Sequence, residues 1–153
     1  MVIYRDLNLI NRNLVKPVVT IGNFDGVHRG HQQLFRLVKE RARTLGGQAV
    51  VITFDPHPIK IMQPQRQLPL LTTTEQKLRF LSQQELDVVI VHPFSREFGA
   101  QPAREFVRKY LVDRLGVAEV IIGHDYRFGR NREGNIDLLR ELGALYGFQV
   151  QVV

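Results

Sequence analysis

The sequence predicts an α/β domain built on an open parallel sheet of five strands with helices on both faces. Short apolar runs rich in Val and Ile alternate with longer segments of helical period, and glycines stand where those helical segments stop. Length agrees, since 153 residues suffice for one core of ordinary size and fall short of two.

The first strand is expected at residues 18–22. The helix after it, 29–45, carries Leu34, Leu37, Val38, Ala42 and Leu45 at spacings of three and four and is ended by Gly46 and Gly47. A second strand at 49–54 runs into the most irregular stretch, 55–73, with prolines at 56, 58, 64 and 69. A loop that long in a small domain is usually functional or mobile. A helix near 74–82, a strand at 88–91 and a helix at 102–115 follow. That last helix has Phe106, Tyr110, Leu111 and Leu115 at core spacing, is closed by Gly116, and is assigned no chemistry. A strand at 120–123, a helix at 135–146 closed by Gly147, and a strand at 148–153 complete the order. No repeat or low-complexity segment interrupts it.

Composition narrows the chemistry. Hydrophobic residues make up 44% and charged residues 24% of the chain, the balance of a soluble globular protein, and no stretch approaches a membrane-spanning length. The N-terminus mixes basic and acidic residues before any apolar run, unlike a signal peptide, so the cytoplasm is the simplest location and no membrane partner is expected. Absence of cysteine removes disulfides, thiolate metal sites and thiol nucleophiles, leaving imidazole and carboxylate. The net charge of +6 favours polyanionic ligands. The basic residues are dispersed and no aromatic-rich recognition motif accompanies them, so small phosphate esters are expected rather than nucleic acid.

The stretch "GNFDGVHRGH", residues 22–31, follows the first strand. In an open parallel sheet ligands sit beyond the carboxyl ends of the strands, and a glycine-rich turn into a helix lets backbone N–H groups approach phosphate oxygens. Gly26 and Gly30 leave room for such approach, and His28 and His31, three apart at the helix start, point toward one crevice. Neither the dinucleotide-binding glycine fingerprint nor the lysine-containing phosphate loop is present. Two imidazoles suit attack of a phosphate oxygen on a nucleoside triphosphate, which needs no protein nucleophile but concentrates negative charge on phosphoryl oxygens and leaving pyrophosphate. "TFDPHP" at 53–58 brings His57 out at the same sheet edge between prolines that restrict its backbone. "GHDYRFGRNREG" at 123–134 supplies Asp125, Arg127 and Arg130 for ribose or phosphate, and the aromatic faces of Tyr126 and Phe128. Tyr126 is read as core. His92 and His124 are left structural or unassigned.

"GNFDGVHRGH" resembles the HxGH signature of the nucleotidylyltransferases, in the form typical of bacterial FAD synthetases, the bifunctional riboflavin kinase/FMN adenylyltransferases. "TFDPHP", "LLT" at 70–72, "EFVRKYLVDRLGV" at 105–117 and "IIGHDYRFGRNREGN" at 122–135 continue the resemblance in order along nearly the whole chain. It implies a Rossmann-like nucleotidylyltransferase fold and transfer of AMP from ATP to FMN, giving FAD and pyrophosphate, with Mg2+ neutralising the triphosphate. By the same resemblance His28 and His31 are catalytic, contacting the triphosphate and stabilising the transition state. Gly22, Asn23 and Phe24 would line the nucleotide site, with Gly30 allowing close approach of the adenosine. Asp25 would hold the turn or lie near the metal, a local Asx-type turn being the equal alternative. Asp125 and Arg127 would bind nucleotide, and Pro56, His57, Pro58 and Phe128 flavin or phosphate. No residue is assigned as a dedicated metal ligand. The family's usual Gly-Asp is Gly134-Asn135 here.

The resemblance further implies that 1–153 is an adenylyltransferase domain cut short before a Ser-Ser-Thr-x-Ile-Arg-like segment and before the riboflavin kinase domain. Three alternatives stay open: a nucleotidylyltransferase for another phosphate ester, such as phosphopantetheine or glycerol phosphate; a non-catalytic nucleotide- or flavin-binding module; and RNA binding, suggested only by charge.

Overall fold

A computed structural model describes residues 1–26, 29–66 and 73–153, leaving aside the side chains of residues 29 and 30. Six parallel strands form one sheet in the order β1-β4-β3-β2-β5-β6: β1 (Val2–Tyr4), β2 (Val18–Ile21), β3 (Ala49–Asp55), β4 (Val88–Pro93), β5 (Glu119–Ile122) and β6 (Gln149–Val152). Five were expected; the sixth is β1, three residues along the outer edge of β4, in register Val2 to Val88. Edge placement leaves Val2 and Ile3 exposed, and the apolar run of β1, Val-Ile-Tyr, is too short to stand out as a buried strand does.

Alternation along the strands divides the core. Val18, Val51, Val89 and Ile121 face α1 (Arg29–Leu45) and α3 (Thr74–Ser82), packing on Leu34, Phe35, Val38, Ala42, Leu78 and Leu81. Val19, Ile21, Val50, Ile52, Ile90, Val120 and Ile122 face the other layer. There Ala103–Phe106 (α5) continues as a π-helical stretch, Val107–Leu115, ended by Gly116 in the left-handed region at φ 61°. This layer supplies Phe106, Tyr110, Leu111 and Leu115, and α6 (Ile136–Tyr146) supplies Leu139 and Leu142. Helices thus cover both faces, as a parallel sheet requires.

The expected irregular stretch contains a short helix, α2 (Pro58–Met62), with His57 as its N-cap and Pro58 in its first turn. A further turn of helix, α4 (Arg96–Gly99), follows β4. "LLT" at 70–72 lies outside the described residues. At the amino ends of the strands, opposite the loops that carry the candidate residues, the Arg41 guanidinium grips the buried Glu119 carboxylate at 2.9 and 3.1 Å, fastening α1 to the start of β5. Among the described residues no helix is long and apolar enough to cross a membrane.

Candidate functional site

From β1 at one edge the chain crosses to β2, then runs outward through β3 and β4 on that side before crossing back to β5 and β6 on the other. That reversal is where open parallel sheets leave a crevice. Pairing shows it opening: β2 holds β3 along its full length, Val18 to Ile21, but meets β5 only at Val18 and Val19. Past that point β5 stays paired with β6 through Ile122. The loops leaving β2 and β5 therefore flank a gap, and these loops carry Gly22 to Gly26 and Gly123 to Arg127.

The turn after β2 is shaped by Phe24. Its backbone is left-handed, φ 51°, and its ring turns inward to pack on Phe35 at 5.1 Å and edge-on to His31 at 5.2 Å between centroids. Phe24 therefore presents backbone, not an open ring face, to the crevice. Gly22 donates its N–H to Ile52 at 3.1 Å, and Gly26 closes the turn with φ 81°, a conformation suited to glycine. His31 is half-buried in the opening turn of α1, which also contains Gly30. His28 lies outside the described residues.

A cavity of about 410 Å³ lies beside this turn, bounded by Asp25, by Asp55, Pro56 and His57 after β3, by Lys60 of α2 and by Lys77 of α3. His57 Nδ1 accepts the backbone N–H of Ile59 at 3.2 Å, so a neutral ring carries its proton on Nε2. Burial pushes its pKa down; Asp25 opposes that shift, and Lys77 and Lys60 add to it. Pro58 serves as the first residue of α2.

Lys77 was not expected from sequence. It is only 6% exposed and donates to Thr53 Oγ1 at 3.2 Å and to the Phe54 carbonyl at 3.4 Å. Thr53 Oγ1 donates in turn to the Asn23 carbonyl at 3.1 Å. Burial lowers the Lys77 pKa, while Asp25 and Asp55 hold it up. The signal was present in "TTTEQKLRFLS": Thr73 and Gln76 form a capping box, and Lys77 stands four residues before the buried Leu81 and so on the inward stripe.

After β5, Asp125 and Arg127 are exposed on the flank of the gap. Phe128 is buried, stacked on Tyr126 with 14° between rings and packed on Phe106 at 5.8 Å. Tyr126, expected in the core, is partly buried against its rim, and burial pushes its phenol above its usual pKa. Asn135 caps α6, its Oδ1 accepting the Leu138 N–H at 2.9 Å, a task Asn and Asp perform alike.

Among the described residues no cluster of three or more His, Cys, Asp or Glu could cage a metal ion. Asp25 and Asp55 at the cavity suit instead the way Mg2+ is usually held, by one or two carboxylates together with substrate phosphates.

Comparison with known proteins adds sequence relationship to this geometry. A family model described as FAD synthetase matches residues 10–153. A bifunctional riboflavin kinase/FMN adenylyltransferase of Buchnera aphidicola subsp. Schizaphis graminum is 35% identical over 145 residues, covering 95% of this chain and 46% of the relative. The protein of the same name from Escherichia coli K12 is 39% identical over 133 residues, covering 87% of this chain and 42% of the relative. The chain thus spans about half the length of these curated relatives. Among solved structures, one titled as a macrolide-efflux protein from Streptococcus pneumoniae superposes with a TM-score of 0.80 at 24% identity, over 99% of this chain and 50% of that one. At that identity the likeness shows a shared fold.

Proposed function

Because the chain belongs to the FAD synthetase family, we propose that it carries the adenylyl-transfer half of a longer enzyme, moving AMP from ATP to FMN to give FAD and pyrophosphate. The observation that carries the reading is the glycine-rich turn 22–26 at the reversal of the sheet, with an imidazole-bearing helix start on one side and a cavity bounded by Asp25, His57 and Lys77 on the other.

In this reaction a phosphate oxygen of FMN attacks the α-phosphorus of ATP. One P–O bond forms, the bond to pyrophosphate breaks, and no protein nucleophile is needed. The protein's work is positioning and charge stabilisation. His28 and His31 stabilise the phosphoryl charge, helped by the positive end of the α1 dipole. Gly22, Asn23 and Asp25 shape the nucleotide side of the turn, and Gly30 leaves space beside it. Phe24 contributes by anchoring the turn through its buried ring. Asp125 and Arg127 reach the nucleotide from the β5 side. His57 offers its Nε2–H to a phosphate oxygen, with Pro56 and Pro58 fixing the loop beneath the flavin and Phe128 backing Tyr126. Mg2+ would be held by Asp25 together with the triphosphate and would neutralise charge there. The remaining length of the relatives would include the riboflavin kinase part.

The test is FAD formation, followed by chromatography with ATP, FMN and Mg2+, alongside calorimetric titration of each substrate. Steady FAD production that falls in His31→Ala and His28→Ala with ATP affinity retained supports the reading. Binding without FAD formation favours a nucleotide-binding module.

A further inference from the structure

Resting on the adenylyl-transfer reading, we propose that Lys77 is a positioning residue that locks the Asn23–Gly26 turn to the exit of β3 through the hydroxyl of Thr53. Three elements distant in sequence meet in that contact. Lys77 comes from α3, Thr53 and Phe54 from the end of β3, and Asn23 from the turn after β2. The ammonium gives one hydrogen bond to the Thr53 hydroxyl and one to the Phe54 carbonyl. The hydroxyl, having accepted from Lys77, has its own proton left for the Asn23 carbonyl. The direction of donation is therefore determined along the whole chain of contacts.

A lysine is an expensive choice for this position if filling space were its task, since an apolar side chain of similar length carries no desolvation cost. Lys77 instead places its ammonium near both Asp25 and Asp55, which oppose the effect of burial on it and which bound the cavity. Removing it would take away the donor that orients the Thr53 hydroxyl toward the Asn23 carbonyl. The turn that must cradle phosphate would then lose its tether to the sheet on the side facing His57.

The discriminating experiment compares Lys77→Met, Thr53→Val, Thr53→Ser and the double variant Lys77→Met/Thr53→Val. FAD formation is measured against ATP concentration, and amide hydrogen exchange is followed at residues 22–26. If Lys77 acts through Thr53, Lys77→Met and Thr53→Val each lower kcat by about tenfold or more with the KM for ATP within about threefold of wild type, as expected when geometry rather than ground-state binding is lost. The double variant is then no worse than the more impaired single one, since both cut one path. Exchange at 22–26 accelerates in both singles, and Thr53→Ser recovers most of the loss.

A rise in the KM for ATP with kcat kept would make Lys77 a ligand contact and overturn the proposal, as would additive losses or unchanged exchange. Should Lys77→Met not fold, Thr53→Val against Thr53→Ser decides alone. Should the wild-type chain form no FAD, the adenylyl-transfer reading fails separately. Hydrogen exchange then still supports the tether if it accelerates in Lys77→Met and Thr53→Val, and rejects it if it does not.

Discussion

The ring of Phe24 folds back over Gly22 so closely that a β-carbon on Gly22 would meet Phe24 Cζ at 2.9 Å. Gly22 is thus required less for its own conformation than for the aromatic plug two residues on, which is buried against Phe35. Gly22→Ala is expected to cost about 1–3 kcal/mol of folding stability, the range for overpacking a filled site. Pairing it with Phe24→Leu should recover part of that loss, with a coupling of roughly 0.5–3 kcal/mol between contacting residues. Urea denaturation of the two singles and the double checks this, and strict additivity would reject the contact.

His57 is predicted to bind ligand as a neutral donor. Its Nδ1 is occupied by the Ile59 N–H, and burial lowers its pKa, so the Nε2–H form persists through neutral pH. His57→Asn keeps an N-cap acceptor for α2 but removes the outward donor. Phosphate-ester affinity should then fall by about 1.5–3 kcal/mol, the worth of a hydrogen bond to a charged group, with the thermal midpoint nearly unchanged. In the wild type, acid should protonate His57 and compete with the Ile59 contact. Calorimetric titration of FMN and ATP at pH 7.5, with a thermal melt of each variant, separates the two effects.

Much of this architecture was legible because the buried strands are continuous Val/Ile runs and the helices are closed by glycines. Residues 18–22, for example, needed only hydrophobic pattern and a following Gly-Asn to be placed. The first strand was not legible, because Val2–Tyr4 is three residues long, pairs on one side only and leaves Val2 and Ile3 exposed. The site divided in the same way. Glycine and histidine announce themselves by type and spacing, whereas Lys77 reads as one more helix charge unless the helix start at Thr73 and the stripe to Leu81 are followed. Phe128, an aromatic beside arginines, reads as a stacking face, yet the packing of Phe106 and Tyr126 encloses it.

Asn135 stands where the family usually has Asp, and the structure gives the position a capping task. Its Oδ1 takes the Leu138 N–H at 2.9 Å. Asn135→Ala should lower stability by about 1 kcal/mol, the usual cost of losing such a cap. Asn135→Asp should stay within about 0.5 kcal/mol of wild type, because the carboxylate accepts the same bond and favours the helix N-terminus. FAD formation per folded molecule should be the same in all three; a gain in Asn135→Asp alone would assign the position a charge role in the reaction.

Acid should weaken the fold through His92. His92, on β4, is 4% exposed, and its Nδ1 accepts the Leu7 N–H at 2.9 Å. Burial depresses its pKa; Asp6 favours the charged ring, and Lys109 disfavours it. With a folded pKa below the unfolded value of about 6.5, the unfolded chain binds more protons between the two. Stability therefore rises with pH across that interval. Stability present at neutral pH is lost as the pH falls through about 6.5 and on through the folded value. His57, shifted in the same direction, adds to the slope. Protonation at Nδ1 would also evict the Leu7 N–H, loosening the Leu7–Leu9 turn from β4. His92→Asn supplies an amide oxygen near the same place and does not titrate. Its thermal midpoint should decline less steeply than that of the wild type between pH 7 and 5, and an equally steep decline would remove His92 as the source.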